Sequence, residues 1–257
     1  MTKRQKFVLS SLLLASGFVL MQYFVETGFR YQTIALLTIL TAVFSYWSLK
    51  EALGRNATLL TLVLPTFFTA GVGLFYFLLP ASILSAIPIV LLYILGIYAL
   101  LLTSNIYTVA AARTIALLRA AHAVGFLLTL LTAFLLFDNV FSLRASFWLN
   151  GLASALLAFP LLLQGFWSIE LGHKLGKEVL FPAVALALIL GEVGVVLSFW
   201  PVTVPVASLA LTTVLYVGLG TGQARLQQRL FARTIREYFL VGAVVFITMF
   251  LTARWAG

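Results

Sequence analysis

Apolar residues run through this chain in nine long blocks, with short polar or basic segments between them. The blocks cover residues 7–25, 31–49, 57–79, 81–103, 114–137, 145–169, 179–200, 202–220 and 238–253. Crossing about 30 Å of hydrocarbon at about 1.5 Å per residue takes about 20 apolar residues in helical form, and every block is close to that length. Strands of a membrane β-barrel are the competing form, but they hold about ten residues and alternate polar with apolar. Stretches such as 59–64 and 184–190 do not alternate. Lipid offers no partner to an unpaired backbone N–H or C=O, so the pattern predicts helices. The expected fold is all-α: a polytopic transmembrane helix bundle of about nine spans, forming a single domain over residues 1–257.

Nine spans assign each connecting segment to one of two sides, and the basic residues test that assignment. One side receives Lys3, Arg4, Lys6, Lys50, Arg55, Arg113, Arg119, Lys174, Lys177, Arg225, Arg229, Arg233 and Arg236; the other receives only Arg30, Arg144 and Arg254. Cations collect on the cytoplasmic face, which puts the amino terminus in the cytoplasm and the carboxy terminus outside. Merging or splitting a span would flip every later connector and destroy the segregation. Tryptophan gives an independent check, because its amphipathic ring prefers the head-group level. Trp47, Trp148, Trp167, Trp200 and Trp255 all fall near a predicted span end.

Composition agrees: 63% of residues are hydrophobic and 9% charged, against roughly 45–50% and about 25% in soluble domains. So few charged side chains cannot cover a water-soluble globule. The net charge of +9 would suggest nucleic acid in a soluble protein. Here the cations lie between apolar blocks, where they read as topogenic signals and contacts to anionic lipid, and nucleic acid is not expected as a partner. The expected location is the cell (plasma) membrane, multi-pass. The basic opening followed by an apolar run resembles a signal peptide. Bulky Phe18, Met21, Tyr23 and Phe24 stand where a peptidase needs small residues, so the run reads as an uncleaved first span. Cysteine is absent, which excludes disulfides and thiolate chemistry.

Glu192 is the most informative single residue, a carboxylate well inside the seventh span. A charge near mid-membrane costs about 2.5–3.5 kcal/mol on insertion scales, so a buried acid is expected, facing protein or water. It reads either as a coupling or ligand-binding acid, or as a packing partner for Asn150 in the same leaflet. Ala183, Ala187 and Gly191 recur every four residues beside it, a stripe along which another helix can approach closely and which places the seventh helix inside the bundle. Ala112, Ala116 and Ala120 form a similar stripe on the fifth span. Arg119 and His122, three residues apart, make a polar cluster at the inner face. Arg225, Arg229, Arg233 and Arg236 share a face if residues 222–237 are helical, the pattern of a basic amphipathic cytoplasmic segment touching anionic lipid. Pro65, Pro88 and Pro160 fall within spans and are expected to kink them or free a carbonyl.

No motif carries catalysis, a cofactor or a metal. Gly218-Leu-Gly-Thr-Gly222 lacks a preceding strand and the lysine of a phosphate loop, and with two histidines in the chain no His, Glu or Asp cluster has metal-ligand spacing. The leading functional expectation is a small-molecule or ion transporter, or the membrane subunit of one, built around Glu192. The alternative is a non-catalytic structural or assembly subunit of a membrane complex, with another membrane protein as partner. An enzyme acting on lipid-linked substrates stands third, because its acids, histidines and arginines would have to converge at one interface. The topology is directly testable, since the native chain offers no thiol background. Single cysteines at Gly28, Pro80, Ser142 and Pro201 are expected to react with a membrane-impermeant maleimide on intact cells, and cysteines at Gly172 and Gln227 only after permeabilisation. External labelling of Gln227→Cys would overturn the orientation.

Overall fold

The computed structural model describes residues 2–24, 27–50, 58–79, 83–110, 116–172 and 175–253. Among them are nine α-helices and no strand: α1 Lys3–Phe24, α2 Arg30–Leu49, α3 Thr58–Tyr76, α4 Ile83–Ala110, α5 Leu118–Ser142, α6 Phe147–Glu170, α7 Lys177–Leu197, α8 Val204–Leu226 and α9 Ala232–Thr252. Each apolar block of the sequence coincides with one helix. Seven of them, α2 and α4 to α9, are long and apolar enough to cross a membrane. The Pro80 connection, Ala112, Arg113, Lys174, Arg254 and Trp255 lie outside the described residues.

The chain gathers into two compact units, residues 1–132 and 133–257, the division falling within α5. In the first unit α1 and α3 each pack on both α2 and α4, closing a ring of four helices. Its interior is aromatic: Tyr93 of α4 stacks on Phe18 of α1 at 5.0 Å between ring centres and on Phe68 of α3 at 6.1 Å. All three rings are fully buried. The Tyr93 hydroxyl then needs a polar partner, and it lies 3.1 Å from Thr69 Oγ1, itself 3.0 Å from Thr41 Oγ1. This short polar chain ties α4 to α3 and α2. Such interhelical hydrogen bonds contribute about 0.6 kcal/mol each inside membranes, so they fix register more than they drive association.

Pro65 shows how the interior compensates a backbone defect. It has no N–H to give to the carbonyl of Thr61 one turn earlier in α3. The Ser104 hydroxyl of α4 reaches that carbonyl at 3.3 Å and supplies the missing donor. Pro88 and Pro160 likewise stand within α4 and α6 as expected, and Pro182 stands within α7.

The second unit is organised by one close helix pair and one central helix. Gly151, Ser154 and Ala158 of α6 face Ala183, Ala187, Gly191 and Gly194 of α7, and all seven are buried. The backbones nearly touch: a methyl group on Gly151 would stand 2.9 Å from the Gly191 carbonyl oxygen, and one on Gly191 would stand 3.1 Å from that of Gly151. The α7 stripe read from the sequence is therefore a genuine seam, and its partner is α6. The fifth-span stripe is not, because Ala116 and Ala120 are exposed. In this unit α8 contacts α6, α7 and α9, and Gln223 of α8 donates to the Gly165 carbonyl of α6 at 2.9 Å.

Close backbone approach leaves no room for a larger side chain. Gly191→Leu is expected to lower unfolding stability in detergent by about 1–3 kcal/mol. Val184→Leu, on the exposed face of the same helix, should change it by less than about 0.5 kcal/mol. Equal melting curves for the two variants would rule out the seam.

Candidate functional site

An α-helix turns about 100° per residue, so the seam that holds Gly191 against α6 also sets the direction of its neighbour. Glu192 is carried around to the exposed side of α7. One turn away on either side, Leu188 and Val196 are 60% and 55% exposed, so the carboxylate stands in the middle of an apolar outer face. No hydrogen bond or ion pair reaches it among the described residues. The expectation of a buried acid on an interior helix is corrected accordingly: α7 buries the side that runs from Val179 through Ala183, Ala187 and Gly191 to Leu197, and leaves the side of Glu192 exposed.

Asn150 does not meet Glu192. It is buried at the start of α6, and its Nδ2 donates to Ser198 Oγ at 3.0 Å, just past the end of α7. Ser198 in turn donates to the Gly194 carbonyl at 2.9 Å. Asn150 therefore closes the Ser198 end of the α6–α7 seam, and its Oδ1 has no hydrogen-bond partner.

The inner-face pair is also divided. Arg119 is exposed, whereas His122 is half-buried with its ring 5.7 Å from that of Tyr107 on α4. The Tyr107 hydroxyl donates to the Ala121 carbonyl at 2.9 Å, which anchors the start of α5 to the end of α4. His173 lies outside the described residues.

Residues 222–237 do not form one continuous helix. Gly222 to Leu226 complete α8, and the chain then turns. Arg229 N–H donates to the Ala224 carbonyl and Gln228 N–H to that of Arg225, at 2.8 and 2.9 Å, with Gln228 in the left-handed region at φ 56°. This pair of bonds is the Schellman termination, which satisfies the last carbonyls of a helix and reverses the chain. The four arginines are consequently distributed: Arg225 ends α8, Arg229 lies in the turn, and Arg233 and Arg236 open α9. Arg233 pairs with Glu237 at 3.0 Å, with both side chains largely exposed, a geometry of little energetic weight.

One acid escaped the sequence reading. Asp138 lies inside α5, which continues to Ser142. It is 4% exposed, its polar neighbour is the Ser208 hydroxyl of α8, and its Oδ1 has no hydrogen-bond partner. The signal was present in the absence of any glycine or proline from Leu127 to Val140, which leaves a helix free to run through Asp138 and Asn139.

All-α architecture, long apolar helices and a sparse, inward-bonded set of polar side chains define the class of integral, multi-pass membrane proteins. The chain belongs to the DUF5656 family, a protein family of unknown function, whose profile matches residues 7–252. No curated protein and no solved structure matches it significantly.

The geometry separates two roles for Asn150. In a double-mutant cycle, Asn150→Ala with Ser198→Ala is expected to show a coupling of about 0.6 kcal/mol, the usual value for a hydrogen bond between membrane helices. Asn150→Ala with Glu192→Gln should be additive. Coupling in the second pair and none in the first would restore the Asn150–Glu192 contact.

Proposed function

We propose that the chain is a non-catalytic assembly subunit of a membrane complex, which docks a transmembrane helix of another membrane protein on the outer face of α7. It crosses the plasma membrane nine times as one transmembrane domain, with its amino terminus in the cytoplasm and its carboxy terminus outside. Nine helices matching nine apolar blocks, and cations segregated between alternate connectors, support that topology.

The position of Glu192 carries the docking reading. Phe181, Leu188 and Val196 are 77%, 60% and 55% exposed along the same side of α7, and Phe199, just past its end, is 70% exposed, a surface suited to lipid except at the carboxylate. Left against hydrocarbon, that group costs up to about 3 kcal/mol, and a hydrogen-bond donor or cation on a neighbouring helix removes the penalty. A second copy of this chain is a poor candidate. A two-fold interface of α7 on α7 centred on Glu192 would oppose two like charges, and α7 carries no Lys, Arg, Asn or Gln within about two turns of it. The partner that fits is a different helix bearing Lys, Arg, Asn or Gln.

A transport reading rests on a different residue. Glu192 faces outward, so a coupling acid within the protein would have to be Asp138, buried beside Ser208.

Photo-crosslinking in native membranes tests the assembly reading. A benzophenone side chain at Leu188 or Val196 is expected to yield one discrete heteromeric adduct, whose cross-linked turn contains a donor or cationic residue. Glu192→Leu should reduce that adduct about tenfold, and the same probe at Leu251 on α9 should not form it. Adducts to lipid alone, or only to a second copy of the chain, would overturn the proposal.

A further inference from the structure

Both α7 and α9 pack on α8, and a groove lies between them over the α8 surface. Its apolar part, about 510 Å³, is walled by Leu186 and Ile189 of α7 and by Phe239 and Phe246 of α9. Thr213, Val217 and Gly218 form part of the floor. The threonines on this floor are apolar in effect: Thr213 and Thr221 direct their hydroxyls to the carbonyls of Leu209 and Val217 on their own helix, at 2.8 and 2.7 Å. Gly218 and Gly242 add no side chain and leave the channel open.

This apolar channel continues, through the shared residues Leu186, Gly218 and Thr221, into a second space of about 560 Å³ at the end of α8. Here the lining changes character. Lys177 and Arg225 stand at the mouth, with Glu178 as the single acidic residue among its lining. Helix α7 begins at Lys177 with Gly176 as a cap that has no side chain, so the positive end of its dipole stands at the mouth as well. Glu178, in the first turn, offsets part of that dipole and leaves the two cations for another anion.

Length decides what kind of occupant fits. From Arg225 to Thr213 is twelve residues of α8, or about 18 Å of helix. That exceeds half of the roughly 30 Å hydrocarbon thickness and falls well short of the whole. A transmembrane helix needs a face running the full thickness, whereas a lipid of one leaflet needs a charged mouth at head-group level and an apolar channel one leaflet deep.

We infer that the α7–α8–α9 groove binds one anionic amphiphile, its phosphate or carboxylate held by Lys177 and Arg225 and an acyl chain laid along α8 between Ile189 and Phe246. The site differs from a general attraction of basic loops to acidic membranes, because it has one occupant and an apolar half. It borders the Glu192 face at Phe181, which lies on both, but the two proposals call on different partners and are tested by different residues.

Native mass spectrometry of the full-length protein in detergent, titrated with phosphatidylglycerol, phosphatidylcholine of the same chains, oleate and glycerol phosphate, tests it. The intact chain is expected to take up one phosphatidylglycerol or oleate about tenfold more tightly than phosphatidylcholine, and glycerol phosphate should not compete. Preference for only one of phosphatidylglycerol and oleate identifies the head group as phosphate or carboxylate. Joint replacement Lys177→Gln with Arg225→Gln should erase the head-group preference, while Arg119→Gln, an exposed cation elsewhere, should keep it. Filling the channel from either wall, with Ala243→Trp or Ile189→Trp, should abolish retention of all the lipids. The two wall variants lie on different helices, so at least one folded variant, checked by its melting curve, reads the result. Unchanged retention in a folded wall variant, or a head-group preference that survives loss of both cations, would overturn the inference. Displacement of phosphatidylglycerol by glycerol phosphate would overturn it too, by showing that the acyl channel contributes nothing.

Discussion

In hydrocarbon no water stands ready to accept or donate a hydrogen bond, so every backbone N–H and C=O has to be paired inside the protein. That constraint makes each apolar block a helix, and it governs the polar side chains too. Thr129, Thr132, Thr212 and Thr213 all return their hydroxyls to carbonyls of their own helix, between 2.7 and 2.8 Å. Where the helical pattern fails, a neighbour repairs it, as Ser104 does at the Thr61 carbonyl, to which Pro65 has no N–H to give. Hydroxyls so occupied contribute little to association, even where they also bridge helices, and association falls mainly to close packing.

Close packing in turn sets the directions of the functional candidates. The Gly151–Gly191 contact fixes the rotation of α7 about its axis, and this rotation sends Glu192 outward. The same contact turns Ala183 and Ala187 inward and leaves Leu188 and Phe199 on the surface. The groove between α7 and α9 lies over α8, the helix on which both pack. A structural decision about glycines therefore determines where an acid meets the membrane.

The Schellman turn after α8 has a similar reach. Without it, Arg225 to Arg236 would continue as one cationic helix lying on the membrane surface. With Gln228 in the left-handed conformation the chain reverses at once, and Arg225 remains beside Lys177 at the end of the groove. Glutamine is not a residue that announces a left-handed cap, since glycine and asparagine are the usual choices. The helical spacing of the arginines was real, but it was shared between two helices and a turn.

The primary sequence determined the helices themselves, their approximate limits and the small-residue stripe of α7, because block length, basic connectors and residue size are local properties. Rotation and neighbour choice belonged to the tertiary structure. Apart from Glu192, the span of α7 is apolar on all sides, so no amphipathic pattern marks which face meets protein and which meets lipid. Asp138 was obscured for a related reason: next to an asparagine it resembles a helix end, and only the continuation of α5 and the approach of Ser208 make it interior. The hydrophobic signal that makes a membrane span easy to recognise is nearly uniform around the helix, and uniformity carries no information about orientation.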